Sequence, residues 1–299
     1  MSETIGGIIP PMTTPFTAAG DIDVPAFRAQ VRFLLDQGAH GLAVGGSTGE
    51  GHTLDRDELR RVVAAAVDEA AGRVPVVAGI IVDSTRDAAD RGRAVRDLGV
   101  AALQVTPVHY LFRPHDDAML THFRAIVDET GLPVVIYNVV PWSYLSPQLL
   151  VRILRDVPGV VGVKQSAGDL KLLADLLDTA PRGARILSAV DALLYPSFTL
   201  GAHGAIAAIL TAAPRACVLL WQAVAREDYG TARRLHSALL RLWNALVGDN
   251  LPACVKQALE LQGCPGLHPR APMPAASTDQ RHAIDQALRA LDAEVKRAA

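Results

Sequence analysis

Several things are scarce in these 299 residues. Cysteine occurs three times, at Cys217, Cys254 and Cys264, an odd number confined to the last third of the chain. That excludes a secreted disulfide scaffold, and the three thiols are expected to be small buried apolar residues. Long apolar runs are missing too. The longest, such as Val76–Val82, fall far short of the roughly 20 residues that a bilayer-spanning helix needs. There is no excess of one charge: 29 Lys+Arg stand against 31 Asp+Glu, a formal net charge of −2 with no run of like charges. Such a chain offers no basic face to nucleic-acid phosphates. The start from Met1 to Gly7 has neither the basic region nor the apolar core of a secretory signal, so the cytoplasm is the expected compartment. Lysine is the least obvious scarcity. Four of the 29 basic residues are lysines, Lys164, Lys171, Lys256 and Lys296, and the remainder are arginines.

What is present is a regular alternation. Short Val/Ile/Ala-rich runs at Ile5–Ile9, Gly41–Val44, Val74–Gly79, Ala101–Val105, Pro133–Tyr137, Val160–Lys164, Ala184–Ser188 and Gly204–Ala208 read as eight parallel strands. Helix-start signals stand between them: Asp23 or Val24 with Pro25, Thr53 before Leu54, Ser84 or Thr85, and Ser146 before Pro147. Eight βα units of roughly 28 residues each predict a (β/α)8 TIM barrel over residues 1–225. A doubly wound open sheet is the competing fold, but no G-x-G-x-x-G opens a helix after the first strand. Beyond the last strand, amphipathic segments at Arg215–Val224, Tyr229–Leu246, Leu251–Leu261 and Thr278–Lys296 predict a C-terminal helical extension, residues 226–299. It is apolar enough to pack on the barrel or on another subunit.

In a barrel the chemistry sits at the carboxyl ends of the strands. Strand two runs into Gly45-Gly46-Ser47-Thr48-Gly49-Glu50-Gly51, where glycine amides and the Ser47 and Thr48 hydroxyls can meet a small carboxylate or phosphate; a plain tight turn is the alternative. Glu50 is either an acid catalyst or a carboxylate that holds backbone amides. Strand four ends in an aromatic, proline-bounded loop with His109, Tyr110 and Arg113, strand five in Tyr137-Asn138. Arg113 is read either as a grip on a substrate carboxylate or as a surface ion-pair partner. Strand six ends in Val160-Val161-Gly162-Val163-Lys164-Gln165-Ser166. A lysine that ends an apolar strand is desolvated, which lowers its ammonium pKa and leaves a nucleophilic amine suited to Schiff-base formation. The alternatives for Lys164 are snorkelling to solvent or pairing with Asp169. Arginine cannot form imines, so a lysine here, in a chain that otherwise prefers arginine, is conspicuous. No metal-ligand spacing stands out among nine histidines and three cysteines, and His203 reads as structural.

Taken together, Pro11-Met12-Thr13-Thr14-Pro15-Phe16, Gly46-Ser47-Thr48-Gly49-Glu50, Tyr137-Asn138, Gly162-Val163-Lys164-Gln165-Ser166-Ala167-Gly168-Asp169 and Gly201-Ala202-His203-Gly204-Ala205-Ile206 resemble the dihydrodipicolinate synthase/N-acetylneuraminate lyase family from about Gly6 to about Gly263. The resemblance implies a class I aldolase that joins or splits a carbon–carbon bond between pyruvate, or a related 2-oxo acid, and an aldehyde. It implies a homotetramer, no nucleic-acid or membrane partner, and no cofactor beyond the substrate imine on Lys164. It makes Lys164 the Schiff-base lysine, Tyr137 the proton-shuttling phenol, Ser47 and Thr48 the holders of the 2-oxo acid carboxylate, and Ile206 the donor of a backbone carbonyl. Tyr110 or His109 would complete a proton relay in a neighbouring subunit's site. The chain departs from the pattern of synthases acting on aspartate semialdehyde, which follow the tyrosine with Asn-Val-Pro-x-Arg. Here Asn138 leads to Val139-Val140-Pro141-Trp142-Ser143-Tyr144, without that arginine. Trp142 and Tyr144 in its place suggest a wall for an apolar or aromatic aldehyde. An authentic synthase, a 2-keto-3-deoxy sugar acid aldolase or dehydratase, and a silent 2-oxo acid binding protein are the alternatives.

Overall fold

The structure, a computed structural model, describes residues 5–298. In chain order it begins β1 (Gly7–Ile8), α1 (Val24–Asp36), β2 (Leu42–Val44), α2 (Arg56–Ala70), β3 (Val76–Ile80), α3 (Thr85–Val95), β4 (Ala102–Val105) and α4 (Asp116–Thr130). It continues with β5 (Val134–Asn138), α5 (Pro147–Asp156), β6 (Val160–Gln165), α6 (Leu170–Thr179), β7 (Arg185–Ser188), α7 (Leu194–Thr199), β8 (Gly204–Ala205) and α8 (Ile209–Ala212). Helices α9 (Pro214–Ala225), α10 (Tyr229–Leu246), α11 (Leu251–Leu261) and α12 (Thr278–Ala298) follow. All eight strands are parallel, each beside its sequence neighbour, and β1 pairs with β8. Backbone bonds from Met12 to Ala43 O (2.8 Å) and from Ala43 to Pro10 O (3.0 Å) join the end of β1 to β2. This is the eight-stranded barrel that the alternation predicts.

The outer strands are shorter than the apolar runs suggest. Gly7 and Gly204 face each other so closely that a Cβ on Gly204 would lie 2.2 Å from Gly7 O. The helix starts follow local chemistry: Asp23, Ser84 and Ser146 each accept a backbone N–H of the first turn. Thr53 does not begin α2. Asp55 does, because it forms a capping box with Glu58, two reciprocal side-chain bonds that a threonine two residues earlier cannot make.

Two apolar cores result. The larger lies between strands and helices; a small one fills the barrel itself with Ile9, Ala43, Val77, Val135, Leu187 and Ile206 among others. In β6 the register against β5 slips by one residue: Val134 pairs with Val160, but Val135 pairs with Gly162. Val160 packs in the outer core and Val161 against the inner one, while Val163 returns to the outer core. Gly162 is required there, since a Cβ would lie 2.3 Å from Arg185 O on β7. Above this bulge Tyr137 and Lys164 become register partners.

Candidate active site

Tyr137 and Lys164 end neighbouring strands, and β6 delivers the lysine into a cavity of about 310 Å3 at the carboxyl end of the barrel. The Lys164 amine lies 3.6 Å from the centre of the Tyr137 ring. The residue is 4% exposed, and burial lowers its ammonium pKa to about 7, against an opposing pull from the Asp191 carboxylate. Asp169 is no partner for it; that carboxylate caps α6 by accepting the Lys171 amide at 2.8 Å. Burial works in the other sense on the phenol. The Tyr137 hydroxyl is pushed up to about 12 by desolvation, partly offset by its 3.2 Å hydrogen bond with the Ser47 hydroxyl. At neutral pH the pair is therefore an amine with a ready neutral form beside a protonated phenol.

The β2–α2 turn brings Ser47 and Thr48 to the same cavity. Its glycines serve the turn more than they serve an anion. The amides of Gly49, Glu50 and Gly51 bond back to Gly46 and Ser47 carbonyls, and a Cβ on Gly51 would fall 1.8 Å from Gly45 O. The amides of Ser47 and Thr48 have no partner among the described residues, which leaves them free for a carboxylate. Ile206 closes the opposite wall. Its amide is held by Ser188 O at 2.9 Å, while no described residue donates to its carbonyl.

Asp191 was not foreseen from the sequence. It follows β7, lines the cavity, and accepts the Ile209 amide at 2.7 Å; burial raises its pKa to about 6. The signal was available, since Asp191 stands just beyond a strand's carboxyl end as Lys164 and Tyr137 do. Leu251 and Pro252 were also missed as cavity residues, because they come from α11 rather than from a strand end.

Other candidates lie elsewhere. Glu50 is not an acid in the cavity: it is fully buried and accepts the Arg270 amide and the Lys256 ammonium. Trp142 does not form the expected wall. It is 72% exposed and donates to His109 O, while Tyr144 donates to Ser166 O at the rim and Val139 takes the wall position. Arg113 is exposed and lines an open hollow beside Asp117 and Arg152. Tyr110 is 66% exposed outside this chain's own cavity, on a loop whose His109 and Tyr110 amides both bond to Asp83. His203 accepts the Ile186 amide, a structural role, and all three cysteines are buried and free.

A nucleophilic amine at a barrel-strand end, with a phenol against it and carboxylate donors opposite, defines a Schiff-base lyase of the class I aldolase kind. Residues 4–291 match the Dihydrodipicolinate synthetase family, and the chain belongs to it. Members of that family are lyases that act through a lysine imine with pyruvate. The chain is 34% identical over 294 residues to the 4-hydroxy-tetrahydrodipicolinate synthase of Methanopyrus kandleri, covering 97% of this chain and 98% of that one. It is 35% identical over 296 residues to the synthase of the same name from Methylobacterium radiotolerans, with 97% and 98% covered. Among solved structures, a prophage protein of the dihydrodipicolinic acid synthase family from E. coli K12, in complex with pyruvate, superposes with a TM-score of 0.91. That protein is 26% identical, and the match covers 96% of this chain and 99% of that one.

Proposed function

We propose that this chain binds pyruvate or a close 2-oxo acid relative as an imine on Lys164 and makes or breaks its bond to an aldehyde. The observation that carries the reading is the Lys164 amine, desolvated to a pKa of about 7 beside Tyr137 in a cavity that also holds Ser47 and Thr48. The Ser47 and Thr48 hydroxyls and amides hold the carboxylate, which fixes C2 beside the amine. The neutral amine attacks C2 and the carbonyl oxygen takes a proton to give a carbinolamine. Tyr137 donates the proton with which that hydroxyl leaves as water, and Ser47 shares its hydrogen bond through the step. The resulting iminium draws electrons from C3; loss of a C3 proton gives an enamine, which adds to the aldehyde carbon while the aldehyde oxygen takes a proton. Water then releases the product and restores the amine. Asp191 supplies a negative charge that favours the iminium, and the Ile206 carbonyl accepts a hydrogen bond from the carbinolamine hydroxyl or the iminium N–H.

Tyr110 belongs to this reading as a residue that a second copy of the chain lends to the site, within a homotetramer. The reaction uses no metal or organic cofactor, only the covalent imine. The chain divides into a catalytic barrel, residues 1–225, and a helical extension, residues 226–299, and works in the cytoplasm; among the described residues no helix is long and apolar enough to cross a membrane. A second reading, 4-hydroxy-tetrahydrodipicolinate synthase itself, has the relatives' names in its favour. Against it, no arginine lines the cavity among the described residues to take the carboxylate of aspartate semialdehyde, the second substrate.

Incubation with pyruvate, borohydride reduction and peptide mass spectrometry tests the proposal. The expected result is one stable pyruvate adduct on the peptide that carries Lys164, absent in Lys164→Ala. No adduct, or an adduct on another lysine, overturns it. A coupled assay with aspartate semialdehyde then decides the second reading, which stands if turnover reaches ordinary enzyme rates of about 1–10³ per second.

A further inference from the structure

Two of the four lysines are interior. Lys164 faces the cavity; Lys256, on α11, does not, yet it is 1% exposed and its ammonium lies 2.5 Å from Glu50, which is 0% exposed. The second Glu50 oxygen accepts the Arg270 amide at 2.8 Å, so both oxygens of a carboxylate two residues beyond Thr48 are held from the far end of the chain. Lys256 also donates to His268 O at 2.7 Å and stands 4.7 Å from the centre of the Phe16 ring. Glu50 itself has left-handed backbone, φ 54°, a conformation that a non-glycine residue keeps only when its surroundings impose it. The same helix touches the cavity with Leu251 and Pro252 in its first turn. On the barrel side the turn is also tied by Thr14, which donates to Gly49 O at 2.7 Å, and by the 3.2 Å bond between the Ser47 and Tyr137 hydroxyls.

A buried ion pair is a poor device for stability alone, because desolvation offsets most of its attraction and apolar replacements do as well. Its merit is direction. Here a point donor meets one oxygen of a carboxylate whose own backbone leads straight into the Ser47–Thr48 segment.

We propose that the Glu50–Lys256 pair is a positioning device through which α11 sets the carboxylate-binding geometry of the Ser47–Thr48 turn. It acts through Glu50 and touches no substrate. This rests on the imine reading given above, in which that turn holds the 2-oxo acid.

The test is the double variant Glu50→Gln/Lys256→Met, which keeps both shapes and removes both charges, so that no unpaired charge is left buried. Circular dichroism establishes folding; borohydride trapping at Lys164 over a range of pyruvate concentrations gives the half-saturating concentration and the maximal rate. The expected result is a rise of about tenfold or more in the half-saturating concentration with the maximal rate within about threefold of the wild type, the signature of lost ground-state binding. Glu50→Gln alone, which retains an acceptor for Arg270, gives the same split if the double variant does not fold. An unchanged half-saturating concentration in a folded variant, or a failure of both variants to fold, overturns the positioning role. Absence of an adduct in the wild type overturns the imine reading and this proposal together; a wild-type adduct with unaltered variants overturns this proposal alone.

Discussion

Burial acts on both interior lysines in the same direction, lowering each ammonium pKa, but the neighbours differ. Lys256 meets Glu50 at 2.5 Å, and that contact opposes the lowering; no ion-pair partner among the described residues reaches Lys164, which is left with a pKa of about 7. The sign of the resulting pH dependence follows directly. Imine formation needs the neutral amine, whose share is about one tenth a pH unit below the pKa and about nine tenths a unit above it. The trapping rate is therefore expected to climb between about pH 6 and 8 and then level off. Asp191, with a pKa of about 6, ionises in the lower part of that window, while Tyr137 at about 12 stays protonated across it. A rate that keeps rising toward pH 10, as an ordinary lysine at 10.5 would give, is the outcome that sinks this assignment.

Strands and long helices were legible because their signals are local. The alternation of apolar runs with capped amphipathic segments marks all eight strands, and α10 and α11 begin and end where the pattern does. Lys164 was legible for a compositional reason, as a lysine where arginine is the rule. Illegible were contacts between elements. Nothing near Asn138 shows that its side chain takes both the amide and the carbonyl of Leu145, or that Gln165 joins it. Nor does the sequence show that Trp142 and Ser143 donate to the carbonyls of His109 and Val108, lacing the β5–α5 loop to the β4–α4 loop. Asn138 is 1% exposed, so Asn138→Ala leaves buried backbone groups unpaired and is expected to cost about 1–3 kcal/mol. Urea unfolding measures this; a loss below about 0.5 kcal/mol would mean the tether is replaceable.

At the scale of the whole molecule, the proposed boundary at residue 225 does not isolate the cavity, because Leu251 and Pro252 line it from beyond that point. Glu50 and Lys256 are 206 residues apart, and no local pattern announces such a pair. Tyr110, Leu111, Phe112 and Trp142 are exposed on the two laced loops, an apolar surface suited to a second copy of the chain. Sedimentation is expected to show a tetramer. In Tyr110→Phe, the assembly is expected to persist while kcat falls about tenfold or more, because a proton donor is lost and the apolar contact is kept. A fully active monomer would remove Tyr110 from the mechanism.

In a closed barrel every strand position faces either the interior or the ring of helices, and the two alternate. Counted by twos from Val160, which faces the helices, Lys164 falls among the helices as well. The extra residue at Val161–Gly162 reverses the count, so the amine turns inward beside Tyr137. The chemistry of the molecule thus hangs on parity. A β6 one residue shorter at the bulge would keep its amine inside, whereas one residue more between Gly162 and Lys164 would deliver the same lysine to the wrong side of the wall.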